Sequence, residues 1–418
     1  MKLLERLRKV GFSKLTLLED ALAELHSYLT VIDNEDIEVS TSLNRILAED
    51  IITNMDLPPF DRSAMDGYAV KAEDTFGASQ NNPKQVIKIG TVEIGEIIEL
   101  IIEKGQAIRI STGAPIPKGA DAVVKIEDTE IDNELITLYA PLAPGKNISK
   151  KGEDIVKGIQ IMIKGTELKP EHIALLSSLG RKTVKVKIKP KVSVFSVGDE
   201  LIETGNSLEP GKIFNSNTSM ISNLITLYGG ELVRGLTLPD NKETIKNNLD
   251  KAINDSQIIV FTGGTSVGTK DLLPEVIHEN GTVLTHGIAM RPGSPILIGI
   301  SNEKVVFCLP GTPVAAYICF LKIVGPTLRK LMKCINIDPR VEVKASIEHD
   351  IPVSSMGFLN FLRVKIEKKE DDFIAIPVKL KGSGVITSLT QSDGIIEITP
   401  NLEGLKKGDN VIIKLFPK

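Results

Sequence analysis

"QIIVFTGGTSVGTKD", residues 257–271, decides the fold. Ile258 to Phe261 run without polar alternation into Gly263 and Gly264; hydroxyls follow at Thr265 and Ser266, and a helix start is expected near Lys270. A continuous apolar run bounded by turn residues is the pattern of a strand covered on both faces. The same texture recurs outward from it in "KVSVFSVG", "ELVRGLTL", "PILIGI" and "VVFCLPG", with helical stretches near 217–229, 241–254, 270–280 and 312–333. Strands alternating with helices predict a three-layer α/β domain with a mostly parallel sheet over residues 187–334. Ligands in such a domain bind outside the carboxyl ends of the strands.

The flanking regions differ. Leu18, Ala21, Leu22, Leu25 and Leu29 recur at helical spacing, and Thr16 with Glu19 reads as a capping box. Residues 51–141 predict a small β domain inserted near the N-terminus, with strands at Val86–Ile89, Ile97–Ile102, Ala107–Ile110, Ala122–Ile126 and Leu135–Tyr139. Residues 1–50 and 142–186 read as a mixed α+β linking region, to which the resemblance named below adds dimerisation, and its second half carries a short helix closing on Gly180. From 335 to 418, strands at Val341–Ile347, Leu359–Ile366, Phe373–Pro377, Ile395–Ile398 and Val411–Leu415 predict a β-barrel-like domain. The expected class is multidomain α/β plus β.

Composition removes several functions. A net charge of −4 with interspersed signs gives no basic surface for nucleic acid, and with no Trp and 4% aromatics there are few stacking platforms for bases. No apolar run is long enough to span a bilayer, and the first residues lack a secretory signal. Cys308, Cys319 and Cys334 are odd in number and match no metal spacing, which predicts reduced core thiols in a cytoplasmic protein. The five histidines have no Ser or Cys partner motif and no Walker loop occurs, so neither a nucleophilic triad nor a P-loop is expected.

Three loops at strand ends suit an anion. In 261–271, Gly263, Gly264 and Gly268 let backbone N–H groups approach a phosphate, with Thr265 and Ser266 beside them. "MRPGSP" offers Arg291 and Ser294 on a stiff turn, and "LPGTPVAAY" brings Pro310, Gly311 and Pro313 to a second helix start. Asp66, Asp154, Glu200, Asp240 and Asp271 sit beside glycine or at loop starts, where they are free to converge. Hard divalent cations such as Mg2+ take oxygen ligands and share them with substrate phosphates. The residues alone therefore predict a phosphorylated, metal-linked ligand at an α/β sheet edge.

The motifs "LPPFDRSAMDGYAV", "RISTGAPIPKGADAVVKIED", "GEDI", "FSVGDEL", "FTGGTSVGTKD", "AMRPGSP" and "LPGTPVAAY" follow one another as in the molybdopterin molybdenumtransferases, the MoeA family that includes the gephyrin E domain. The resemblance implies insertion of molybdate into adenylylated molybdopterin with release of AMP, assisted by Mg2+. By resemblance, Asp66, Thr112, Asp154, Glu200 and Asp271 are catalytic, and Asp271, Glu200 and Asp240 bind metal. Arg291 stands where the family has a lysine, Ser294 replaces the lysine of the usual "PGKP", and Gly287 replaces another basic residue; "LPDN" at Asp240 replaces an Asp-Asp pair. Those departures also admit a different oxyanion such as tungstate. The family further implies an elongated homodimer, in which the β domain of one subunit covers the α/β cleft of the other, and transient contact with the adenylyltransferase of the pathway. Two alternatives stay open: a non-catalytic scaffold or molybdopterin carrier of the same fold, and a molybdopterin adenylyltransferase.

Overall fold

The structure is a computed structural model and describes residues 15–97, 99–264, 272–353, 355–370, 372–378 and 382–417. The chain divides into two compact units, one of residues 49–164 and 170–183, the other of residues 1–48, 165–169 and 184–418.

The first unit is built on a six-stranded sheet in the order Ala122–Lys125, Gly67–Val70, Gln106–Ile110, Lys84–Val92, Leu135–Leu138, Thr129–Asp132. Gly67–Val70 is buried along its whole length because its alternate side chains serve two cores: Tyr68 and Val70 pack with Val86, Val124 and Leu138, while Ala69 packs with Val92, Ile108 and Val123. The expected strand at Ile97–Ile102 does not form. Both edges of Gln106–Ile110 are already occupied, by Gly67–Val70 and Lys84–Val92, so the run cannot pair with the strand that follows it. Among the described residues of this run only Ile102 is buried, its N–H donating to the Lys118 carbonyl at 2.8 Å, whereas Ile97 is 89% exposed. Helix Pro170–Ser178 ends as predicted, on a left-handed Gly180 (φ 70°) with Arg181 N–H donating to the Leu176 carbonyl.

In the second unit the α/β sheet runs Glu231–Leu238, Lys191–Val197, Ile258–Thr262, Lys304–Leu309, Leu297–Ser301, Thr282–His286. The first four strands are parallel and the last two antiparallel, and Thr282–His286 is an edge strand not anticipated from sequence. Its alternate side chains fill two cores, Val194, Val260 and Phe307 on one face and Phe195, Phe261 and Cys308 on the other. That arrangement is why the strands read as unbroken apolar runs. Asn241 caps helix Lys242–Asp255, its Oδ1 accepting from Thr244 N–H at 2.9 Å. At the other end of the chain the capping box fails. Thr16 is in a β-bridge with Ile288, its N–H donating to Gly287 and its carbonyl accepting from Ala289, so helix Leu18–Ser27 starts without a side-chain cap. The long helix expected at 312–333 is interrupted by a π-helical turn at Phe320–Val324 between Pro313–Cys319 and Gly325–Leu331.

Strands Leu359–Lys369, Asp372–Pro377, Glu342–Ile347, Asn410–Leu415 and Gly394–Ile398 close into a five-stranded barrel, because Leu359–Lys369 pairs with the last as well as the second. Closure removes the edges a small open sheet would expose. A charged cluster joins barrel and helix. Lys322, on the π-helical turn and mostly buried, reaches both Glu397 oxygens at 2.8 and 2.9 Å, and Arg340 grips Asp338 in a bidentate pair at 2.7 and 2.8 Å. Burial raises the Asp338 pKa, but the Arg340 pair and Lys414 outweigh it and hold the carboxyl down at about 2. A carboxylate depressed in the folded state contributes stability above its unfolded pKa and loses it as pH falls through the folded value. Asp338 should therefore contribute about 2 kcal/mol at neutral pH, lost between about pH 4 and 2. Chemical denaturation of wild type and Asp338→Asn across that window should give a stability difference that shrinks as the pH drops.

Cys308, Cys319 and Cys334 are free and buried, and burial pushes the Cys334 thiol up to about 11. Among the described residues no helix is long and apolar enough to cross a membrane.

Candidate ligand site at the strand ends

In the first unit, Asp66 precedes the strand Gly67–Val70 and is exposed. Its Oδ1 accepts from Thr112 N–H at 2.6 Å and from Thr112 Oγ1 at 2.8 Å, so the two residues predicted to act together do meet. The backbone donor is the larger cause, the hydroxyl the next, and together with the positive field of Arg109 they hold the Asp66 carboxyl below the ordinary range. Removing the hydroxyl in Thr112→Val should raise the Asp66 titration midpoint only part of the way, because the backbone N–H remains. A carbon-13 NMR titration of the carboxyl reads that shift.

Asp61 supports the neighbouring loop through a different partner from the one adjacent in sequence. Its oxygens take the Lys150 ammonium and the Lys151 N–H, each at 2.8 Å, while Arg62 lies in a short strand paired with Ser149. Asp154 is exposed, with its N–H tied to the Leu57 carbonyl at 3.0 Å.

The second unit gathers its site at the carboxyl ends of the parallel strands. Gly263 (φ 90°) follows Ile258–Thr262; a Cβ there would lie 2.3 Å from the Val197 carbonyl, so only glycine lets these two strand ends meet. Its N–H donates to Leu309 at 3.1 Å, and a Cβ on Gly311 would sit 3.2 Å from the Gly263 Cα. Gly263 and Gly311 are thus brought together, with Pro310 preceding Gly311 and Pro313 opening the following helix. The Glu200 carboxylate curls over Gly198, within 2.7 Å of where a Cβ would stand. Asp240 is locked to Asp199: Asp199 N–H donates to Asp240 Oδ2 at 3.3 Å and Asp240 N–H to Asp199 Oδ1 at 3.1 Å. Lys212 Nζ holds the Asp199 carbonyl at 2.6 Å.

Arg291 and Ser294 are engaged elsewhere. Arg291 donates to Ser355 and lies over the Phe358 ring at 4.6 Å, and the Ser294 hydroxyl donates to the Met290 carbonyl at 2.5 Å. Gly264 (φ 59°) rests on Leu273 beside Gly263, whereas Thr265, Ser266, Gly268 and Asp271 lie outside the described residues. Among the described residues no group of three or more His, Cys, Asp or Glu side chains could hold a metal ion unaided.

Sequence reading missed Asp199, Asn215 and Asn217. Asn215 Oδ1 accepts from Thr218 N–H at 3.1 Å, capping helix Asn217–Leu227, and Asn217 Nδ2 donates to the Gly311 carbonyl at 2.8 Å. The signal was present in "FNSNTS", a pair of asparagines at a helix start directly after a strand.

A doubly covered, mostly parallel sheet whose strand ends present glycine backbone and carboxylates, followed by a closed barrel, defines a multidomain α/β protein. Residues 16–180 match the family model for the MoeA N-terminal region (domain I and II), residues 193–330 that for a probable molybdopterin binding domain, and residues 352–416 that for the MoeA C-terminal region (domain IV). The molybdopterin molybdenumtransferase of Bacillus subtilis is 36% identical over 397 residues, 92% of this chain and 90% of its own. That of Staphylococcus epidermidis is 34% identical over 95% of this chain and 94% of its own. The crystal structure of the molybdopterin biosynthesis moeA protein from Pyrococcus horikoshii superposes with a TM-score of 0.84 at 37% identity, covering 96% of this chain and all of the other. The chain belongs to the MoeA family.

Proposed function

We propose that this protein is a molybdopterin molybdenumtransferase, inserting molybdate at the dithiolene of adenylylated molybdopterin while the phosphoanhydride is cleaved and AMP departs. The observation that carries the reading is the row of strand ends, where Gly263 meets Gly311, the Glu200 carboxylate lies over Gly198, and Asp199 is paired with Asp240. Relatives of similar length bearing that name support it. Gly263, Gly264, Gly311 and the residues 265–268 bind the nucleotide phosphates in this reading, and Arg291 and Ser294 serve the oxyanion only if they leave their present partners. Asp66, held ionised and oriented by Thr112, and Asp154 in the first unit, and Glu200 and Asp271 in the second, are the catalytic carboxylates of this reading.

The side chains of Glu200 and Asp240 offer carboxylate oxygens, the donor type that fits a hard divalent cation completing its shell with phosphate and water. Glu200, Asp240 and Asp271 would hold Mg2+, which when bound neutralises charge on the phosphoanhydride. Divalent-ion titration should show tighter binding with nucleotide present than without it; equal affinity would contradict the bridging role. The four-part division into 1–50 with 142–186, 51–141, 187–334 and 335–418, a homodimeric state, a cytoplasmic location suited to three free thiols, and delivery of substrate by an adenylyltransferase belong to the same proposal. The direct test is reconstitution with adenylylated molybdopterin. Molybdate-dependent AMP release is expected, its absence from pure protein would sink the assignment, and tungstate in place of molybdate decides the oxyanion.

A further inference from the structure

The ends of the strands carry a ladder of side-chain hydrogen bonds that the roles assigned above leave unused. Thr237 donates to Glu203, and Asn215 Nδ2 donates to both Thr237 Oγ1 and Thr218 Oγ1 at 2.8 Å. Thr218 shares a hydrogen bond with Ser196 at 2.8 Å, and Ser196 another with Thr262 at 3.0 Å. The ladder crosses the carboxyl ends of three adjacent strands and reaches Asn217, whose Nδ2 lies 3.5 Å from Thr262 Oγ1 and donates to the Gly311 carbonyl at 2.8 Å. That last bond fixes the amide. Turning it over would set Oδ1 against a carbonyl oxygen, so the oxygen must occupy the opposite position.

Asn217 is 7% exposed, yet among the described residues its Oδ1 has no hydrogen-bond partner. Buried polar atoms are nearly always paired, and an unsatisfied one is costly to keep. Every other polar atom named in the ladder is satisfied, so the exception stands out at the position where it touches Gly311, the backbone already assigned to the ligand. An acceptor there selects a donor, which a phosphate or a molybdate oxyanion does not provide.

We propose that Asn217 is a specificity-determining residue whose Oδ1 accepts a hydrogen bond from an exocyclic amino group of the heterocyclic part of the ligand. The inference rests on the molybdopterin reading for the identity of that heterocycle. The adenylylated substrate offers such an amino group at two places, on the pterin and on the adenine, and both present the same N–H chemistry. Asn217 then reads the ring while the neighbouring glycines hold the phosphates. A site built to hydrogen-bond an amino group rejects an analogue that lacks it, because its own polar atom is left unpaired.

The test uses two matched probe pairs on the full-length protein, followed by ligand-observed NMR titration: 6-hydroxymethylpterin against 6-hydroxymethyllumazine, and AMP against IMP. In each pair the second member replaces the amino group by a carbonyl. Wild type should prefer the amino member of one pair by about tenfold, and that pair names the end of the substrate that Asn217 reads. Asn217→Ala should bind both members of the pair about equally. Thr218→Val, which cuts the ladder without touching the Asn217 oxygen, should keep the preference and so separates recognition from general support; thermal unfolding of both variants checks that each is folded. No preference in either pair, no measurable binding of any probe, or equal loss of preference in Thr218→Val overturns the inference. Molybdate-dependent AMP release without amino discrimination would defeat this inference alone, whereas discrimination without AMP release would leave Asn217 standing and defeat the enzymatic reading.

Discussion

Asp66→Ala is expected to lower molybdate-dependent AMP release by at least about 100-fold while leaving the unfolding midpoint of the protein unchanged. The two halves of that result have different causes. Asp66 is exposed and packs against no core, so its removal opens no cavity. Its carboxylate is nevertheless held in one orientation and kept ionised by two donors from Thr112. An exposed aspartate that served only its turn would not need to be fixed so. Steady-state AMP release and thermal unfolding on the same preparations give both numbers. Unchanged AMP release would count against Asp66 as a reacting group, and unchanged cofactor synthesis in cells carrying Asp66→Ala would favour a scaffold over an enzyme. Asp66→Asn sharpens the result, because it keeps the shape but not the charge, and comparable loss in the two variants would assign the effect to charge.

The second large effect concerns stability. Gly67→Ala should destabilise the first unit by more than about 3 kcal/mol, seen as a lowered denaturant midpoint. A Cβ at Gly67 would stand 1.8 Å from the Val124 carbonyl oxygen and 3.1 Å from the Lys125 Cα. Both are backbone atoms of the strand paired beside it, and Gly67 is hydrogen-bonded between that strand and Ile110 on the other side. The sheet cannot yield on one side without losing register on the other. Gly145→Ala is the comparison: unlike Gly67 it has a positive φ, 84°, and nothing lies within 4 Å of the added carbon. It should cost only about 1 kcal/mol, the strain of a left-handed alanine. A loss at Gly67 no larger than that at Gly145 would mean that contact with Val124 does not set the requirement. Because the chain has two compact units, two unfolding transitions are expected, and only the one belonging to the first unit should move in Gly67→Ala.

The sequence by itself determined the parallel core, the barrel strands and the glycine loops, since burial on two faces and tight turns are properties of local residue type. The Asp66–Thr112 pair and the Gly263–Gly311 corner were legible only as residues lying in separate motifs. Their meeting depends on which strands become neighbours, over separations of 46 and 48 residues in the chain. Tertiary structure also decided against local signals. Ile97–Ile102 has a strand-like pattern, but both sides of the strand that follows it, Gln106–Ile110, are taken, and Thr16 has a capping hydroxyl but spends its backbone on a bridge to Ile288. Asn217 could be read from sequence as one more polar residue at a helix start. That its amide is pinned by a carbonyl from a loop 94 residues away, leaving a buried acceptor without a partner, follows from long-range packing, which no local pattern encodes.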